Sequence, residues 1–90
     1  MNGETIKLTI PPDAWEGYGS LAIRNGEKVI DDLNAMITES GNDLRKLGHI
    51  QSVIHYMATR EAHHAPVRAA LAVGRDEIIR RYFPHLESAD

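Results

Sequence analysis

Ninety residues, 42% of them hydrophobic, suffice for one domain, or a small domain with an appendage, around a modest core. The chain has no cysteine, which excludes disulfides, thiolate catalysis and cysteine-based zinc sites. The net charge of −3 is uneven: residues 1–41 carry Lys7, Arg24 and Lys28 against seven acidic side chains, while residues 42–90 are slightly basic.

No apolar run approaches membrane-spanning length and no signal peptide heads the chain, so a cytoplasmic protein with no membrane partner is expected. The overall balance is not the strongly basic one of a typical nucleic-acid binder.

The first element is read at Thr5–Pro11. Ile6, Leu8 and Ile10 alternate with Thr5, Lys7 and Thr9, the two-residue period of a β-strand. Pro11 and Pro12 end it, because neither can donate to a ladder. A single strand leaves its backbone groups unpaired. The simplest partner is the same strand of a second copy, which predicts a homodimer.

Pro12 and Asp13 suit a helix start. Trp15, Tyr18, Leu21 and Ala22 then recur at helical spacing, although Gly17 and Gly19 each weaken a helix by about 1 kcal/mol relative to alanine. Asn25-Gly26 reads as a break with Gly26 as a C-cap. A second helix follows with Val29, Ile30, Leu33, Met36 and Ile37 on one face, closed by Ser40-Gly41. Asn-Gly is also a strong hairpin signal. Two helices fit better, since the flanking apolar residues keep helical spacing and Leu21-Ala22-Ile23 does not alternate.

Beyond Gly41 a helical hairpin is expected. Asn42 or Asp43 caps a helix to about His63, with Leu44, Leu47, Ile50, Ile54, Met57, Ala58 and Ala62 inward. Ala65-Pro66 starts another with Val67, Ala70, Leu71, Ile78 and Tyr82 inward, ending at Phe83-Pro84. Ala70 and Gly74 invite the close approach of a neighbouring helix. His85–Asp90 reads as a frayed polar tail.

From Thr5 to Ser40 the chain resembles the ribbon-helix-helix repressors of the MetJ/Arc superfamily, most closely the Arc/Mnt type. The resemblance is carried by Ile6-Lys7-Leu8-Thr9-Ile10-Pro11, the Tyr18, Leu21, Ala22 stripe, Asn25-Gly26, Val29, Leu33, Ile37 and Glu39-Ser40. It implies a mainly α fold whose N-terminal β-strand forms an intermolecular two-stranded ribbon, followed by two helices and then a C-terminal helical hairpin. Residues 1–41 would be the dimerisation and DNA-binding head. Residues 42–90 would serve oligomerisation or bind a partner or effector.

The function implied is a sequence-specific transcriptional repressor, a homodimer or tetramer on double-stranded DNA, with its ribbon in the major groove. Thr5, Lys7 and Thr9 would contact bases. Gly26, Glu27, Lys28 and Val29 would present free backbone N–H groups to a phosphate. Ile6, Leu8, Ile10, Trp15, Tyr18, Leu21, Ala22, Val29, Leu33 and Ile37 would form the dimer core.

The alternative is a ribbon-helix-helix-type dimer that binds another protein through an acidic surface formed by Glu27, Asp31, Asp32 and Glu39. A phage-encoded inhibitor of a host nucleic-acid machine, or an antitoxin, would have this form. No cofactor is expected. Of the five histidines, His55 and His63 stand eight residues apart, about 12 Å along a helix and too far to share an ion unaided. No nucleophile elbow, phosphate loop or His-Glu zinc signature is present, and Glu61 with His64 is a common surface pairing, so no enzyme is expected.

Overall fold

The computed structural model describes residues 6–60 and 63–87. Its elements are a 3₁₀ turn at Pro12–Trp15, then α1 (Ser20–Ser40), α2 (Leu44–Ala58), α3 (Ala65–Tyr82) and the single turn α4 (Pro84–Glu87).

The expected N-terminal strand and its intermolecular ribbon are not formed: among the described residues there is no strand. The alternation is real, since Ile6 and Leu8 are buried and Lys7 and Thr9 exposed. An extended chain satisfies that pattern without a sheet. The backbone of Leu8 is paired instead by a side chain. Its N–H donates to Asn34 Oδ1 at 2.7 Å, and Asn34 Nδ2 donates to its carbonyl at 2.9 Å. One carboxamide on α1 thus supplies the donor and acceptor of a neighbouring strand.

The helix expected from Pro12 to Asn25 is also absent as such. After the 3₁₀ turn, Gly17 takes φ +89, a conformation that glycine adopts without steric cost. The helix starts afresh at Ser20 with Gly19 as its N-cap residue. Asn25-Gly26, read as a break, lies inside α1. Gly26 is buried in series with Ile30, Leu33, Ile37 and Ser40, alternating spacings of four and three that keep one face inward. A side chain at Gly26 has no room: a Cβ would lie 2.5 Å from Trp15 Cη2 and 2.8 Å from Val67 Cγ2. The glycine therefore serves as a notch for the indole.

Gly41, at φ 56, turns the chain from α1 into α2. Asp43 caps α2, its carboxylate accepting from the N–H groups of Arg45 at 3.0 Å and Lys46 at 3.3 Å. Helices α2 and α3 run antiparallel. Tyr82 Oη donates to Asn42 Oδ1 at 3.3 Å, and Phe83 lies 3.6 Å from the place a Cβ would take at Gly48. The hairpin is thus shorter at its first helix than expected. Leu44 faces solvent, at 53% exposure, because it sits in the first turn outside the packed stripe; Ala62 lies outside the described residues.

One cluster of buried side chains joins the N-terminal segment to all three long helices. Ile6, Leu8 and Trp15 meet Ile30, Leu33 and Ile37 of α1, Ile50 and Ile54 of α2, and Val67, Leu71 and Ile78 of α3. The close-packing site at Ala70 and Gly74 takes Leu8 rather than a helix: a Cβ at Gly74 would lie 2.6 Å from Leu8 Cγ. No helix of the described residues is long and apolar enough to cross a membrane.

Candidate functional site

Because the N-terminal segment lies across the bundle, it forms one wall of a groove. Its path is fixed at two points, Leu8 beside Gly74 and Trp15 beside Val67, so it runs antiparallel to α3. Between the two elements lies a groove of about 560 Å³, within the range of pockets that hold ligands. Lys7, Leu8 and Thr9 form one side; Ala69, Ala70, Val73 and Gly74 form the other. Pro11 and Pro66 lie at one end, Glu77 and Arg81 at the other.

The α3 wall is unusual for a helix surface. A helix on a soluble domain ordinarily turns charged residues outward, as α1 does with Glu27, Lys28, Asp31 and Asp32. The exposed positions of α3 up to Val73 are Ala65, Ala69, Ala72 and Val73 itself. Val73 is 67% exposed, equal to the most exposed large hydrophobic residues described. Charge returns at the groove's end, where Glu77 holds Arg80 at 2.7 Å and Arg81 at 3.7 Å.

Of the expected base-contacting residues, Lys7 and Thr9 line this groove with exposed side chains; Thr5 lies outside the described residues. Gly26, Glu27, Lys28 and Val29 fall well inside α1, where backbone N–H groups bond within the helix. The free N–H groups expected there belonged to a helix start that the chain does not make. Lys28 instead pairs with Asp32 at 3.2 Å on the surface.

Within the single chain, Ile6, Leu8, Trp15, Leu33 and Ile37 of the expected dimer core are buried, and Ile10, Tyr18 and Val29 pack against them. Ala22 is half-buried, and Leu21 faces solvent at 67% exposure. The buried members therefore find their apolar partners without a second copy.

The acidic residues Glu27 and Asp31 border the opposite flank of the N-terminal segment, with Asn34. His64 packs edge-on against Tyr18 at 5.1 Å between ring centres, and Tyr18 in turn against Trp15 at 5.6 Å. Among the described residues no three His, Asp or Glu side chains are placed to hold a metal ion together; Glu61 lies outside them.

Sequence reasoning passed over Val73 and Asn34, and read Ala69, in the run Ala69–Ala72, only as close helix packing. A usable signal existed for Val73 and Ala69. From Ala65 to Gly74 only Arg68 carries charge, too little polarity for a helix with one face in water. Asn34 gave none, because its partner Leu8 is 26 residues away.

Comparison with protein-family models, curated proteins and solved structures finds no match to this chain.

Proposed function

We propose that this chain is a protein-binding module that receives a segment of another protein between its N-terminal segment and α3. The observation that supports this is the outward face of α3. Ala69 and the 67%-exposed Val73 line a groove of about 560 Å³, and the other exposed positions of this half of α3, Ala65 and Ala72, are apolar too. Exposed apolar surface bordered by polar groups marks binding sites on otherwise soluble domains. The repressor expectation depended on a ribbon that the chain does not form, whereas a protein partner needs only the surface already present. Cytoplasmic placement and a binding role without catalysis belong to the same proposal.

A photo-crosslinking amino acid placed at Val73, and separately at Asp32 on the charged face of α1, tests it in the cell that makes the protein. Discrete protein adducts are expected from position 73 and none from position 32. They should disappear when Ala69→Asp is added to the position 73 variant. Adducts from position 32 alone, or from neither, overturn the reading.

A further inference from the structure

We infer that the occupant of this groove is an extended peptide that pairs, as an added strand, with the open edge of residues 7–9 and carries an acidic group toward Lys7. This rests on the protein-binding reading above and specifies what kind of segment binds.

In an extended chain the backbone N–H and C=O of one residue point to one side, and those of its neighbours point to the other. Both groups of Leu8 point to α1, where Asn34 takes them at 2.7 and 2.9 Å. Those of Lys7 and Thr9 therefore point away from α1. Among the described residues neither has a hydrogen-bond partner, and both residues line the groove. The edge offers two donors and two acceptors. Pro11 and Pro12 end it on one side, since proline has no N–H.

The dimensions suit an extended occupant. The groove follows α3 from Pro66 to Arg81, about 22 Å at 1.5 Å per residue. About six or seven residues of strand cover that length at about 3.3 Å each. Side chains of a strand alternate, so every second one would meet the wall of Ala69, Ala70, Val73 and Gly74. Leu8 already fills the notch at Gly74, so the room for aliphatic groups lies over the short exposed side chains of Ala69 and Val73. A helix fits less well, because its backbone groups are already bonded internally and would leave the edge of Lys7 and Thr9 unmet.

Charge sets the orientation of the preference. Lys7 borders the groove beside the ion-paired Glu77 and Arg81, and its other flank faces Glu27 and Asp31. Lys7 makes no ion pair with any described residue. An acidic side chain or a terminal carboxylate on the peptide would complement it.

The test is a selection of random linear displayed peptides on the full chain, counter-selected on the Val73→Asp variant. Enriched peptides are then synthesised with N-methyl groups at alternate backbone nitrogens, in both registers. Strand pairing expects one register to weaken binding at least about tenfold, through lost hydrogen bonds, while the other is tolerated. It further expects slowed amide exchange at Lys7 and Thr9, acidic residues among the enriched sequences, and weaker binding by Lys7→Glu.

Peptides that bind but respond equally to both registers overturn strand pairing and leave the protein-binding reading standing. Enriched peptides without acidic residues, bound equally well by Lys7→Glu, overturn the charge preference. Failure to enrich any peptide over the Val73→Asp counter-selection overturns both readings. If the wild type then self-associates and Val73→Asp does not, the face belongs to a second copy of this chain.

Discussion

Leu8 and Gly74 occupy one another's space: a Cβ at position 74 would stand 2.6 Å from Leu8 Cγ and 2.8 Å from its Cδ1. Two effects oppose each other in Gly74→Ala. Alanine favours the helix by about 1 kcal/mol, and overpacking a core costs about 1–3 kcal/mol. Leu8 is only 3% exposed and cannot swing into water, so the clash should win by about 1 kcal/mol. Chemical denaturation of Gly74→Ala, Leu8→Ala and the double variant checks this. The double variant should be more stable than the sum of the single losses; plain additivity would mean that the two do not touch.

Gly26→Ala should be more costly, because its obstacle is rigid. The new methyl meets the Trp15 ring at 2.5 Å and Val67 at 2.8 Å. An indole in a tight site has no small adjustment available. A loss of about 2–3 kcal/mol is expected, with a red shift of tryptophan emission as the ring moves toward water. Unchanged emission and raised stability would return Gly26 to the role of an ordinary helix position.

Asn34→Asp separates the two halves of the carboxamide's work. Near neutral pH the carboxylate still accepts from Leu8 N–H but faces the Leu8 carbonyl without a donor. The lost bond should cost about 1–3 kcal/mol. A protonated carboxyl recovers the donor, so folding raises the pKa of this introduced group. Its stabilising effect is then full below the ordinary carboxylate value of about 4 and is lost as pH rises through the folded value. Denaturation midpoints of variant and wild type should converge on acidification; a constant gap would count against the carbonyl contact.

Asp43 accepts from two N–H groups at the start of α2. Asp43→Ala should lose about 1 kcal/mol, and Asp43→Asn only part of that, since an amide oxygen can still cap. Thermal denaturation distinguishes the two. An equal loss would assign the effect to charge at the helix start rather than to the hydrogen bonds.

Much of the helical part of this fold is legible in the chain itself. The stripe Leu47, Ile50, Ile54 and the start at Ala65-Pro66 follow from periodicity and proline's fixed φ, as does the stop at Phe83-Pro84. The capping side chain was narrowed to Asn42 or Asp43 by residue type alone.

What misleads is chemistry with two meanings. Asn25-Gly26 signals a turn when judged locally. Here Gly26 is small because Trp15, eleven positions back, needs its space. The alternation from Ile6 to Ile10 reports an extended chain with one greasy face, and a ladder is one way among several to pair its backbone. That Asn34 does so is a relation across 26 residues, which no periodicity records. For the candidate groove, Lys7 and Thr9 were picked out as polar positions of the alternating stretch and through its resemblance to a DNA-reading ribbon, while the wall they face was read only as close packing.

The pairing of Leu8 by Asn34 also orders events in time. Asn34 can meet both groups of Leu8 only once α1 holds it in place, and Gly74 offers its notch only after α3 exists. During synthesis at roughly 5–20 residues per second, Leu8 waits on the order of several seconds for the last of its neighbours. The segment made early is therefore seated late. Substitutions at Leu8 should speed unfolding while leaving the refolding rate nearly unchanged, with φ-values near zero, whereas Leu71 and Ile54, at the α2–α3 contact, should carry the larger values.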